Sequence, residues 1–277
     1  LWQETPAFEA MMNLDYWFRV QDQVAPANRA EFENAYQWLD SAIELLGDVQ
    51  MFVITDPKVQ AMLLKVRKEN PTKYLATSLT VNLLNDAMGC LVNATRLLLF
   101  GAQPDSFALV RSAFEACCYA EHFVYYPQKA KSYMELEDLL SKSEDSSALE
   151  VNLQPALRQR ELNIGAVLTE LEKRSSQNAR GVYARLCNLG SHPSPKRVGL
   201  RLSPSNGAVL APVSMSTPGW SRANWTRGCA SDMTAVAKYA VGMLFERYPE
   251  WFAFNSALTD RCKSLTHEYE LLAGGSL

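Results

Sequence analysis

Two long segments with apolar faces, joined by a Gly/Pro turn, constrain this chain more than any other feature. From Leu75 to Leu99 the residues Leu79, Leu83, Leu84, Ala87, Met88, Leu91, Val92 and Thr95 recur at helical spacing and form one broad stripe. A stripe that wide needs more than one neighbour, which predicts a central core helix. Gly101 stops it, and Pro104-Asp105-Ser106 restarts the chain with residues that favour a helix N-terminus. A second helix is expected over Asp105–Tyr126, carrying Val110, Ala113, Phe114, Cys117 and Ala120, with Pro127 ending it. Two such helices across a tight turn predict an antiparallel αα-hairpin.

The same period recurs elsewhere. It predicts helices over Glu31–Val49, Lys58–Glu69, Gln128–Ser141, Pro155–Ser175, Ala179–Gly190, Asn224–Arg247 and Asn255–Leu272, with Pro57 and Pro71 as punctuation. One stretch departs from it. Arg197–Leu202 and Ala208–Ser214 alternate apolar and polar residues around Ser203-Pro-Ser-Asn-Gly207, the pattern of a small β-hairpin near 198–213. The expectation is an all-α helical bundle with that hairpin as an insertion. Residues 1–70 would form an N-terminal helical segment packed on a bundle of 71–277, within one continuous domain.

Charge is unevenly placed. From Lys173 to Ser231 there are 59 residues without Asp or Glu but with nine Lys or Arg, while the remainder holds 18 basic against 30 acidic residues. A local positive field attracts anions whatever the net charge. RNA or another phosphate-bearing ligand is therefore one expected partner. The alternative is that these cations pair with acids of the rest of the molecule or of a second copy.

Other chemistries lack their signatures. The six cysteines show neither CxxC spacing nor clustering with histidine, so no metal site is expected, and buried reduced thiols in a cytoplasmic protein are the plain reading. There is no GxxxxGK[ST], GxGxxG, HExxH or GxSxG, and no cofactor is expected. No apolar run approaches the ~18 residues that cross a bilayer, and no signal peptide is recognised, so no membrane partner is expected.

Within the acid-free stretch lies Tyr183-Ala-Arg185-Leu-Cys-Asn188-Leu-Gly-Ser-His192-Pro-Ser-Pro, where a histidine accompanies an arginine and several polar groups. If helical throughout, Arg185 and His192 would lie within roughly 20° of one face, about 10 Å apart. Pro193 favours His192 at the helix end instead. An imidazole titrating near neutrality can take or give a proton, and a guanidinium binds phosphate oxygens bidentately. Capping of helix-end carbonyls is the competing structural role. His122 and His267 are expected to be a satisfied core or helix-surface residue and a solvated one. Glu115, four residues after Arg111, is expected to pair with Arg111 or Arg185. Trp220 and Trp225 interleave with Arg222 and Arg227, either as a base-stacking surface or as packing against the hairpin.

At Arg185-Leu-Cys-Asn-Leu-Gly-Ser-His192, an Arg followed by six residues and a His in a late helix, the chain resembles the HEPN superfamily, particularly its bacterial helical members. Arg111-Ser-Ala-Phe-Glu115 and the His-Pro-Ser-Pro ending add to the likeness, which covers roughly Leu75 to Arg247. The resemblance implies a metal-independent ribonuclease of a toxin or anti-phage defence system, with Arg185 and His192 at a homodimer interface. A protein partner such as an antitoxin would accompany it. Active members usually carry a polar residue directly after the Arg, whereas this chain has Leu186 there. The resemblance, with the positive stretch, makes Tyr183, Asn188, Lys196, Arg197 and Arg201 the expected substrate-binding residues. Helices containing Trp17, Trp38 and Trp251 are expected to help cover exposed core in a dimer. The alternative to catalysis is a non-catalytic module that binds RNA, a nucleotide or a protein partner through residues 173–231.

Overall fold

The structure is a computed structural model that describes residue 22 and residues 25–142, 163–174, 178–190 and 223–274. The described part is 92% helical, with no strand among the described residues. The expected hairpin near 198–213 lies outside them, as do Trp17, Trp220, Arg222 and His192.

The helices are α1 (Glu33–Thr55), α2 (Pro57–Glu69), α3 (Pro71–Leu99), α4 (Gln103–Tyr125), α5 (Pro127–Lys142), α6 (Ile164–Arg174), α7 (Ala179–Gly190), α8 (Ala223–Arg247), the short α9 (Pro249–Phe252) and α10 (Ser256–Gly274). Prolines start several of them. At α2 and α3 the preceding Asp56 and Asn70 accept backbone N–H groups at 2.9 and 3.0 Å, the capping that such helix starts require. Helix α9 was not visible in the periodicity, because four residues carry no period.

The α3–α4 hairpin forms as the pattern requires. The Ser106 hydroxyl donates to the Ala94 carbonyl at 2.8 Å and the Thr80 hydroxyl to the Ala120 carbonyl at 3.2 Å, so the helices run antiparallel. Between them Gly101 sits at φ 77°, a left-handed conformation that a side chain would oppose. Val92 departs from the expected apolar face, being 39% exposed. Helix α3 is also the one described helix long and apolar enough to cross a membrane by length and composition. Ten of its residues are buried in the bundle, the pattern of a core helix.

Helix α4 is the centre of the molecule and packs against α3, α5, α6, α7 and α8. None of its described side chains is exposed. Helix α8 runs parallel to it, as successive contacts Ser106–Cys229 (3.2 Å), Phe114–Tyr239 (ring centroids 6.0 Å) and Glu121–Arg247 (3.0 Å) show. On the far side α1 pairs antiparallel with α10 through Trp38–Tyr269 (5.2 Å) and Asp48–Arg261 (2.5 Å). One cluster of buried side chains runs from Phe32 to Leu265. Trp38 and Trp251 belong to it at 4% and 1% exposure, so their apolar surface is satisfied within one chain. Four cysteines are buried, Cys90 and Cys187 are half-buried, and all six are free thiols.

Leu91 is fully buried where α3 crosses the core, whereas Met51 is 58% exposed. Leu91→Ala should cost about 2–5 kcal/mol in urea denaturation, the range for a truncated core leucine. Met51→Ala should stay within about 0.5 kcal/mol. Equal effects would contradict this packing.

Candidate functional site

A helix with no fully exposed side chain among those described has to find partners for the polar groups it buries. At about 100° per residue, Arg111, Glu115, Cys118 and His122 occupy roughly 60° of the α4 surface. Helices α6 and α7 cover α4 alongside α8. Arg111 Nε and Glu115 Oε1 lie 3.2 Å apart, each side chain about a quarter exposed at 26% and 27%. Of its two expected partners, Glu115 therefore has Arg111. The Arg111 Nε is buried without an aligned hydrogen bond, so charge rather than geometry holds the pair.

From α7, Tyr183 brings its hydroxyl to the Glu115 carboxylate and the Cys187 thiol. Burial, then those two contacts and the Glu115 charge, push the phenol well above its usual range and keep it a neutral donor. Two residues on, Arg185 crosses to α8 and pairs with Asp232. The guanidinium is 57% exposed and the carboxylate 6%. Arg185 thus neutralises a buried acid with one edge and keeps the rest of its fork at the surface. Asn188 is exposed on the same helix. His192 follows Gly190 by two residues and lies, with Lys196, Arg197 and Arg201, outside the described residues.

A second polar cluster occupies the end of α4. Glu121, 7% exposed, accepts from the Tyr239 hydroxyl and from Arg247 Nη2 at 3.0 Å. Burial foremost, with the Cys118 and Glu121 charges behind it, pushes the Tyr239 phenol far up. Arg174 and Arg247 stack on Tyr125 with their guanidinium carbons 4.6 and 4.8 Å from its ring centre. Helices α4, α6 and α8 all end here, and cations at helix C-termini offset the exposed carbonyl ends. That is a structural task.

The described cations of the acid-free stretch have protein partners. Lys173 binds Glu170 at 2.6 Å, Arg180 binds Glu172 at 2.5 Å, Arg185 binds Asp232, and Arg227 lies 3.8 Å from Glu31. Arg174 donates to the Tyr126 hydroxyl at 3.2 Å. Asp232 was overlooked in the sequence, yet it is the lone acid between Glu172 and Glu246, and its isolation in an apolar helix was the signal. His122 also differs from expectation. It is 3% exposed, and neither ring nitrogen has a hydrogen-bond partner. His267 is exposed as expected. No group of His, Cys, Asp or Glu among the described residues has the arrangement of a metal site.

No family model, curated protein or solved structure matches this chain.

Arg185→Ala should strand the Asp232 carboxylate and cost about 1–3 kcal/mol, the desolvation cost of an unpaired buried group. Adding Asp232→Asn should return most of that stability. A double variant as unstable as the single one would show that the pair is not coupled.

Proposed function

We propose that the chain is a HEPN-like, metal-independent ribonuclease whose site is built on α7, at its seams with α4 and α8. One observation supports this best. Helix α7, which carries Arg185 and leads towards His192, is seated through Tyr183 on the Arg111–Glu115 pair of α4. That places guanidinium, carboxylate and phenol chemistry beside the chain that continues to His192. Phosphodiester cleavage without a metal needs a base for the 2′-hydroxyl, an acid for the leaving oxygen and a cation for the phosphorane. His192 would serve in proton transfer, and the solvent-facing edge of Arg185 would bind phosphate oxygens. Tyr183 and Asn188 would line the approach, with Lys196, Arg197 and Arg201 holding the strand. A homodimer would supply the site twice. A toxin or defence role, with a protein partner restraining the enzyme, follows from the resemblance.

A second reading has its own support. The described cations of the acid-free stretch are engaged by protein groups, and Asp232 occupies part of Arg185. That pairing weakens the case for cleavage but leaves the exposed edge of Arg185 to hold an anion, and on this reading the protein binds RNA, a nucleotide or a protein partner through 173–231 and cleaves nothing.

RNA cleavage by the purified protein should persist in chelator and disappear in both Arg185→Ala and His192→Ala. The Arg185→Ala/Asp232→Asn double variant separates chemistry from folding: it should be stable and still inactive. RNA decay equal in wild type and His192→Ala would rule out the enzyme.

The binding reading predicts affinity for RNA that falls steeply with salt, because neutralised phosphates release counterions. Lys196→Glu with Arg197→Glu should weaken that binding without unfolding the protein. RNA affinity unchanged by the reversal, with altered stability or self-association, would assign these cations to intramolecular or dimer pairing.

A further inference from the structure

His122 is polar and buried, and it plays no part in the seam proposed above. The ring is 3% exposed, its centroid 4.8 Å from that of Tyr126, and both nitrogens lack partners. A neutral imidazole tolerates this at the expense of two unmade hydrogen bonds. An imidazolium would carry two unpaired N–H donors and a charge into the same place, which a low-dielectric interior opposes far more strongly.

The charged groups that act on the ring come from two packed helices: Lys129 of α5, and Glu170 and Arg174 of α6. Two are cations. The single carboxylate, Glu170, already accepts from Lys173 at 2.6 Å and from the Tyr126 hydroxyl at 3.2 Å. Glu170 therefore offsets a charge on His122 only in part. Burial first, and Lys129 and Arg174 with it, hold the imidazole below its usual range against the opposing pull of Glu170.

The neighbouring layers differ in how firmly they are held. Helix α3 buries ten residues against the core, whereas α6 is 11 residues long and buries Val167, Leu168 and Leu171. Helix α7, packed on α6, buries Ala179, Leu186 and Leu189. Elements with small apolar anchors open locally; α5, with Ala130 its one buried residue among the described side chains, shares that property, but two of the three charges acting on the ring, Glu170 and Arg174, are carried by α6.

We infer that His122 makes the α6–α7 layer acid-labile: protonation of its ring is accommodated by lifting α6 and α7 from α4. Opening would admit water to the ring, part Tyr183 from Glu115 and separate Arg185 from Asp232. The layer that assembles the seam is thus the layer that acid releases, whether the seam cleaves RNA or only binds.

The sign follows from linkage. In the open layer the ring titrates near the ordinary value of about 6.5, and in the closed layer it titrates lower. Above pH ~6.5 both forms are neutral and pH has no effect. Below it the open form binds the extra proton, and the opening constant rises by up to about tenfold per pH unit until the closed-form value is passed.

Hydrogen exchange of the full chain, compared with His122→Leu at each pH from 7.5 to 5, tests this, because intrinsic exchange rates cancel in the ratio. The wild-type to variant ratio for peptides of 164–174 and 179–190 should be constant above pH ~6.5 and climb below it by up to about tenfold per unit. Peptides from α1 and α3 should show no such climb. His122→Gln, neutral at every pH and still polar, should remove the climb as well. A flat ratio across the whole range would overturn the proposal. A climb shared equally by all helices would overturn it too, since global unfolding would then be the event.

Discussion

Everything in this bundle depends on the covering of α4 by five neighbouring helices. A helix wrapped by α3, α5, α6, α7 and α8 buries Phe107, Val110, Ala113, Phe114, Cys117, Ala120 and Phe123, and that burial supplies the apolar free energy. The same packing buries Glu121 and His122 and leaves Arg111 and Glu115 about a quarter exposed. Each must be answered from a neighbouring helix or remain unsatisfied. Glu115 is answered by Arg111 and Tyr183, and Glu121 by Tyr239 and Arg247. His122 is not answered.

The ion pairs follow from this constraint. Asp232 sits in an apolar helix facing α7 and is nearly inaccessible, so its charge is tolerable only beside Arg185. Surface pairs such as Arg180–Glu172 hold the α6–α7 turn together but contribute little each, being exposed. The described part of the positive stretch is therefore less positive in space than in sequence. Its acids lie on flanking segments, which folding brings alongside.

The turn at Gly101–Pro104 and the long periodic faces placed the α3–α4 hairpin within a few residues, because proline, glycine and helical period act locally. The Ala179–Gly190 helix matched in both bounds, with Pro193 and the sequence before Ala179 as its limits. Val92 belonged to the apolar stripe by period yet lies at its edge, because a face wider than its neighbours leaves a margin. Trp38 and Trp251 carried no mark of whether they cover a partner or their own core. Packing against α10 and Tyr248 decided that.

The sequence by itself determined most helix ends to within a few residues, though not the run of α1 past Val49 to Thr55 nor α9 (the expected start at Pro155 lies outside the described residues), and it marked Asp232 as a lone acid near the basic stretch. These are properties of residues within a few positions of one another. Only the tertiary structure decided that Arg185 meets Asp232, that Tyr183 reaches Glu115, and that His122 is buried with no partner. The reason is that α4 presents its Arg111–Glu115–His122 stripe at the spacing of an ordinary solvated helix face. Whether such a stripe meets water or a second helix is settled by contacts as far as 126 residues away, which no local period records.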